Sequence, residues 1–143
     1  MGWRLWDHTA DIGIEATASD ADGALSLAAR ALMAVVTGKP DGLPLRGGEH
    51  QTFRVEAPDH GALAVAFLSE LLWLMESEGQ LWVTGGVTIT PTADGLAADV
   101  GANMVRYDTR LHGAGVEVKA VTYHDLFFGR DGAEWRLRVV LDI

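Results

Sequence analysis

The sequence predicts an α+β fold in which two helices pack on a largely antiparallel sheet. Two long segments have the apolar spacing of helices, and both end at a glycine. Several shorter segments alternate apolar and polar residues, which is typical of half-buried strands. Most of these strand-like runs lie in the second half of the chain. Such segregation of helices from strands favours an α+β over an α/β architecture.

The composition is that of one globular domain without disulfides. The chain has 143 residues, of which 48% are hydrophobic and 22% charged, and it contains no cysteine. This length is sufficient for one hydrophobic core, so we predict a single domain over residues 1–143. The lack of cysteine excludes disulfides and thiolate zinc sites, and no signal-peptide pattern begins the sequence. We therefore expect a cytoplasmic protein.

The charge distribution argues against direct binding to nucleic acid. The formal net charge is −9, which disfavours contact with a phosphate backbone. Residues 106–143 carry as many basic as acidic side chains, so residues 1–105 hold the whole negative excess. A partner-facing surface is therefore expected in the C-terminal third of the chain.

The first half of the chain predicts two strands, a helix, a loop and a further strand. The first strand begins with Trp3, Leu5 and Trp6. Residues 11–18 alternate as a half-buried strand, and residues 19–38 follow as a helix capped by Ser19 or Asp20. Residues 39–50 have the composition of a loop, and residues 51–57 alternate again as a strand. The predicted apolar stripe of the first helix comprises Leu25, Ala28, Ala29, Leu32 and Val36.

The second helix is predicted to begin after Asp59 and to end at Gly79. It is apolar around most of its circumference, which indicates a central helix packed on more than one side. Its most apolar stretch, residues 61–75, is shorter than the about 20 residues of a membrane-spanning helix. Four strand-like runs follow, at residues 81–90, 95–105, 115–128 and 134–143. The segments "GGV" (85–87) and "GRDG" (129–132) are predicted to be hairpin turns.

Three places could carry chemistry, and the first is the segment "DHTAD" at residues 7–11. Asp7 and Thr9 could bond nearby backbone amides in a turn, with Asp11 at the start of a strand. Alternatively, two carboxylates and the imidazole of His8 could supply ligands for a hard cation. The spacing alone does not decide between a turn and a site.

The second place is the C-terminal segment "VVLDI". On a strand, Trp135, Leu137, Val139, Leu141 and Ile143 point one way and Arg136, Arg138, Val140 and Asp142 the other. The Asp142 carboxylate together with a carboxylate at Ile143 would place several oxygens at one spot. The simpler interpretation is a strand that ends there.

The third place is "EVKAVTYHDL" at residues 117–126. On a strand, Glu117, Lys119, Val121, Tyr123 and Asp125 would share one face, and His124 would lie on the other. We expect a solvated Lys–Glu pair of small energetic value, and a buried His124 bonded to a backbone carbonyl. No nucleophile–base pair is specified, so the sequence does not support catalysis.

Together these segments resemble the archease family. "DHTADIGIEA" at the start, "LSELLWLMESEG" at 68–79, "VEVKAVTYHDL" at 116–126 and the final "LDI" match the family pattern in order and spacing. The resemblance implies a compact α+β fold related in shape to the core of the Hsp33 chaperone. It also implies a protein cofactor of the RtcB-type RNA ligase that joins tRNA exon halves during tRNA splicing. Such a cofactor promotes guanylylation and multiple turnover of the ligase and broadens its nucleotide use.

The resemblance further implies a divalent metal site, with Asp11, Asp142 and Ile143 as ligands. Oxygen ligands suit Ca²⁺ first, with Mg²⁺ or Mn²⁺ as alternatives. Asp7, His8, Lys119, Tyr123 and His124 are expected to support this site or to contact the ligase. Two other classes stay open: a chaperone-like modulator of RNA-modifying enzymes such as a tRNA methyltransferase, and a metal-dependent hydrolase. The hydrolase is disfavoured because no nucleophile–base pairing is evident.

Overall fold

The computed structural model describes residues 2–8, 11–39 and 47–143, and for Trp6, Asp7 and His8 it describes the backbone only. Thr9 and most of the predicted loop, residues 40–46, lie outside the described residues. The elements in chain order are β1 (Gly2–His8), β2 (Asp11–Ala18), α1 (Ala21–Thr37), β3 (Glu49–Ala57), α2 (His60–Glu78), β4 (Gln80–Pro91), β5 (Leu96–Arg106), α3 (Thr109–His112), β6 (Ala120–Val121), β7 (Phe127–Asp131) and β8 (Glu134–Asp142).

The strands form two antiparallel sheets, which confirms the predicted α+β class while dividing the expected sheet in two. The five-stranded sheet has the order β1-β2-β8-β6, and β7 also pairs with β8. The three-stranded sheet has the order β3-β5-β4. Helix α2 packs against strands of both sheets, so it is the central helix that its apolar circumference predicts.

Local signals set the ends of both long helices, as predicted. The Asp20 side chain accepts a hydrogen bond from the Gly23 amide, and Gly38 ends α1 in the left-handed conformation (φ 71°). The Asp59 side chain caps α2 through the Ala62 amide in the same way. Such caps satisfy amides that have no partner within the helix. The predicted apolar stripe of α1 is buried throughout.

Two predictions about the second half of the chain are wrong. The segment "GGV" lies within β4 rather than in a hairpin turn. Gly85 contacts the indole of Trp82 so closely that a Cβ there would lie 2.7 Å from the ring, so packing requires this glycine. The predicted run over residues 115–128 contains only the two-residue β6 and the start of β7. By contrast, a hairpin joins β7 to β8 as predicted, but its turn is at Gly132 and Ala133, so residues 129–131 of "GRDG" lie in β7.

Residues 113–116 bind the C-terminal turn of α1 instead of forming a strand. The Gly115 amide donates to the Val36 carbonyl and the Val116 amide to the Val35 carbonyl. A Cβ on Gly115 would overlap the Val35 carbonyl oxygen, so the backbones can approach only at glycine. These bonds satisfy helix carbonyls that lack a partner in the helix.

None of the helices in the described parts of the chain is long and apolar enough to cross a membrane.

Candidate functional site

Asp11 and Asp142 lie directly opposite each other at one end of the five-stranded sheet. Strands β2 and β8 pair in antiparallel register, with Asp11 across from Asp142 and Ile12 across from Leu141. Directly opposite residues project to the same face, with Cβ atoms about 4.5–5.5 Å apart. Ile14 and Leu141 point to the buried core, so the two carboxylates project from the outer face of the sheet.

Backbone pairing on both sides fixes the positions of these two residues. His8 of β1 pairs with Asp11, and Ala120 of β6 pairs with Asp142. The Lys119 amide donates to the Asp142 carbonyl oxygen at 2.8 Å. Ile143 follows Asp142 and packs its partly buried side chain against the core.

The carboxylate oxygens of Asp11 and Asp142 are suitable ligands for a hard divalent cation, but other groups would have to complete its coordination shell. Two like charges directly opposite each other on a sheet are destabilising, and a cation between them would relieve the repulsion. Carboxylate and carbonyl oxygens are the ligands that Ca²⁺ and Mg²⁺ prefer. Within the described ranges, no group of three or more His, Cys, Asp or Glu side chains could hold a metal ion. Main-chain oxygens, water or a bound partner would have to supply the other ligands.

Lys119, Tyr123 and His124 follow the same edge of the sheet. The Thr122 amide and hydroxyl both donate to the Val140 carbonyl, so residues 119–122 lie alongside the end of β8. Tyr123 is exposed and follows directly after this anchor. Lys119 is therefore adjacent to Asp142, whereas Tyr123 and His124 lie further along β8.

The prediction of a buried His124 is wrong. The His124 side chain is 60% exposed, and its Nε2 lies 3.3 Å from Asp125 Oδ2. Asp125 adopts the left-handed conformation (φ 51°), so the backbone turns instead of continuing as a strand. The side-chain roles predicted for Asp7 and His8, and the turn role of Thr9, fall outside the described residues.

The sequence-based prediction missed an ion-pair network on the same outer face. Glu15 is buried, and its carboxylate lies 2.9 Å from Arg4 Nη2 and 3.7 Å from Arg136 Nε. Arg136 Nη2 also lies 2.7 Å from Asp131 Oδ2 at the β7–β8 hairpin. The available signal was the spacing of Glu15 four residues after Asp11, which places both on one face of β2.

A groove lies next to this network. Its volume is about 500 Å³, and it is lined by Asp125, Leu126, Phe127, Asp131, Arg136 and Arg138. The Leu126 side chain packs over Gly61 in the first turn of α2, where a Cβ would lie 2.9 Å from it. This contact supports the turn that carries Tyr123 and His124.

Comparison with known proteins matches this chain to one family along its length. The model of the Archease protein family matches residues 3–143. The protein archease of Thermococcus gammatolerans is 33% identical over 99% of this chain and 98% of its own length. The protein archease of Pyrococcus abyssi is 32% identical over the same shares.

Solved structures agree on the fold. The solution structure of Methanobacterium thermoautotrophicum protein 1598 has a TM-score of 0.79 and 26% identity, and the match covers 99% of both chains. The crystal structure of a Thermotoga maritima protein described as an archease and possible chaperone has a TM-score of 0.58 and 21% identity, over 98% of this chain and 96% of that one. With the sequence match to the family model, these likenesses lead to one conclusion: the chain belongs to the Archease protein family.

Proposed function

We propose that this protein is a non-catalytic activator of the RtcB-type tRNA-splicing RNA ligase and acts through a divalent metal site. The site would be formed by the carboxylates of Asp11 and Asp142 and a main-chain oxygen of Ile143. The register that sets Asp11 opposite Asp142 carries the proposal, because it brings residues from the two ends of the chain together. The ligase is proposed as the partner because the resemblance of the sequence motifs to the family implies it.

The residues around the carboxylate pair support a role in binding a partner protein rather than in catalysis. The neighbouring residues Lys119 and Tyr123 are exposed and present a cation and an aromatic ring to a partner. A bound Ca²⁺ would supply positive charge that attracts oxygen ligands, and it prefers about 6–8 of them. Asp11, Asp142 and a main-chain oxygen of Ile143 would not fill that number, so an oxygen of the ligase or of its nucleotide would complete the shell.

In this proposal the residues of the site have separate roles. Asp11 and Asp142 hold the ion at a spacing that the β2–β8 register sets. The Lys119 amide holds the Asp142 backbone from the other side. Lys119, Tyr123 and His124 support this site or contact the ligase.

The proposal is tested by adding the purified protein to the purified ligase and counting ligation events per ligase molecule. The wild-type protein with Ca²⁺ should convert about single turnover into repeated turnover. Asp11→Asn and Asp142→Asn should each abolish this effect and leave the thermal unfolding profile cooperative. Asp94→Asn, which neutralises an exposed carboxylate in the β4–β5 turn, is the matched control and should activate fully.

Two outcomes would contradict the proposal. Full activation by both site variants would show that the carboxylates are not needed. Phosphoester hydrolysis by the protein alone, lost in the same variants, would favour the hydrolase instead.

A chaperone-like modulator is a second candidate, because four large apolar side chains in the described residues are at least 43% exposed. They are Trp73, Leu111, Tyr123 and Phe127. The Thermotoga maritima protein of the same fold is described as a possible chaperone. This function predicts suppression of aggregation of a tRNA methyltransferase and of unrelated proteins alike, unchanged in Asp142→Asn. Loss of the suppression in that variant would exclude it.

A further inference from the structure

Strand β3 presents an edge of the three-stranded sheet that differs from the opposite edge. In the described part of the chain, β5 is its partner on one side, and its other side ends the sheet. The strand is nine residues long, without proline and without a register shift against β5. An unbroken edge of this kind can pair with another strand.

The opposite edge of the same sheet, β4, is protected in three ways. A bulge between Trp82 and Thr84 interrupts its register. The Asp22 side chain accepts a hydrogen bond from the Ile89 amide at 3.0 Å, which occupies a donor of the edge. Pro91 at the end of the strand has no amide hydrogen to donate. Bulges, inserted polar groups and prolines are the usual protection of sheet edges, and among the described residues none of them is present at the β3 edge.

The sequence of β3 is complementary to itself when it is reversed. In "FRVEA", residues 53–57, an antiparallel pairing centred on Val55 sets Arg54 opposite Glu56 and Phe53 opposite Ala57. Twofold symmetry produces each of these pairs twice, and the two valines meet on the axis. Opposite charges directly across from each other are favourable cross-strand pairs. Beyond this segment Thr52 would face Pro58, so the ladder would end there.

The side chains concerned are accessible for such pairing. Arg54 and Glu56 project from the exposed face of the sheet, and their side chains are 49% and 64% exposed. Phe53 and Val55 are only partly buried against the core. A second strand at this edge would therefore remove further apolar surface from water.

Arg54 can bind the second copy while it keeps its contact with Asp99. Within its own chain, Arg54 Nη1 donates to both Asp99 carboxylate oxygens at 3.0 and 3.1 Å on the β5 side, and Nη2 donates to Glu56 Oε1 at the longer distance of 3.4 Å. The Glu56 carboxylate of the second copy would share or replace this longer contact. The hydrogen bond with Asp99 raises the pKa of Arg54 above its usual value, so the group is always charged. A guanidinium has five donors, which is enough for a carboxylate on each side.

We propose that two copies of this chain associate through β3, in an antiparallel register centred on Val55. The two three-stranded sheets become one six-stranded sheet, in the order β4-β5-β3-β3-β5-β4. Rows of alternating charge, Asp99–Arg54–Glu56 of the second copy, cross the interface. The surface is separate from the carboxylate pair, which lies on the other sheet.

The charge pattern gives a sharp test by sedimentation equilibrium of the full chain. The wild-type protein should dimerise below millimolar concentration. Glu56→Lys sets two like-charged pairs at the interface, as does Arg54→Glu, so each should raise the dissociation constant at least about tenfold. An equimolar mixture of the two variants should dimerise again, because both cross-strand pairs are then complementary.

Cross-linking tests the register, since the chain has no cysteine of its own. Under mild oxidation Val55→Cys should form a disulfide-linked dimer, because residue 55 faces its own copy. Thr52→Cys on the same strand is the control, because the two copies of residue 52 lie about 20 Å apart in this register. Circular dichroism verifies that every variant is folded.

Three results would overturn the proposal. The first is a wild-type protein that stays monomeric at millimolar concentration. The second is a dimer that both charge variants leave unchanged, because another face would then hold it. The third is a mixture of Glu56→Lys and Arg54→Glu that does not recover dimerisation. Equal cross-linking of Val55→Cys and Thr52→Cys would overturn the register.

Discussion

Asp142→Asn should stabilise the metal-free protein, although it removes a proposed ligand. Asp142 lies directly opposite Asp11, with the side chains on the same face of the sheet. Two unit charges about 5 Å apart repel by about 1 kcal/mol in a solvent-like dielectric, which applies here because Asp142 is exposed. Removal of one charge should therefore raise the free energy of unfolding by about 1 kcal/mol. For a chain of this size the melting temperature should rise by about 3 °C.

Calcium should reverse the order of stability. At a free Ca²⁺ concentration about 100 times the dissociation constant, binding adds about 2.7 kcal/mol to the wild-type free energy of unfolding. Asp142→Asn should lose most of this gain, because a carboxylate ligand has become a neutral amide. The wild-type protein should then be the more stable by about 1–2 kcal/mol.

The assay is urea denaturation of both proteins, once with a chelator and once with Ca²⁺. Asp94→Asn is the control, and its difference from the wild type should be the same in the two solutions. The argument is refuted if Asp142→Asn changes the free energy of unfolding by the same amount with and without Ca²⁺. In that case no ion links the carboxylates to stability.

Three further predictions concern the scaffold, and all are measured by urea denaturation. Glu15→Gln should cost about 1–3 kcal/mol because it removes the charge of a buried carboxylate that pairs with Arg4 and lies 3.7 Å from the buried Nε of Arg136. Arg4→Met should cost about 1–3 kcal/mol as well, because it removes the 2.9 Å hydrogen bond to the buried Glu15 carboxylate; an unchanged midpoint in both variants would contradict the assigned burial. Gly115→Ala should cost at least about 2 kcal/mol through overlap with the α1 carbonyl, whereas Gly86→Ala, with open space around its Cβ position, should be nearly neutral. Asp59→Ala should cost about 1 kcal/mol by removing the α2 cap, and an unchanged midpoint would exclude that role.

The two long helices could be predicted from sequence because their signals are local. Asp59 and Gly79 delimit α2. The Asp59 side chain accepts a hydrogen bond from an amide of the first turn, and Gly79 adopts the left-handed conformation that ends the helix. The apolar spacing in between predicts burial without reference to the rest of the chain. Nothing in that pattern states which sheet each side of α2 would meet, so the division into two sheets was not predictable from it.

The errors arise where tertiary contacts override local signals. Glycines 85 and 86 resemble a turn, but Gly85 lies in β4 because the Trp82 ring occupies the space of a side chain. Residues 117–126 alternate like a strand, yet the segment leaves the sheet when Asp125 turns the chain. The buried residues there, Val118 and Val121, are three apart and do not follow strand periodicity.

Local sequence signals could not predict that Asp11 pairs with Asp142, because the two residues belong to opposite ends of the chain. Each is polar at the end of an alternating strand, which fits a solvated end as well as a site. The family resemblance linked the two residues, and the β2–β8 register now gives the physical reason for their proximity. Their role as metal ligands stays a prediction.

Packing of the hydrophobic core fixes the geometry of the carboxylate pair. A slip of β2 against β8 by one residue would turn Asp11 toward the interior and Ile14 toward solvent. Ile14 and Leu141 are fully buried, so the cost of such a slip keeps the two carboxylates opposite each other. The like charges of the two carboxylates repel each other in this register when no cation is bound. Neutralising them should therefore leave the fold intact, which is why loss of ligase activation in Asp11→Asn or Asp142→Asn would report on the site rather than on folding.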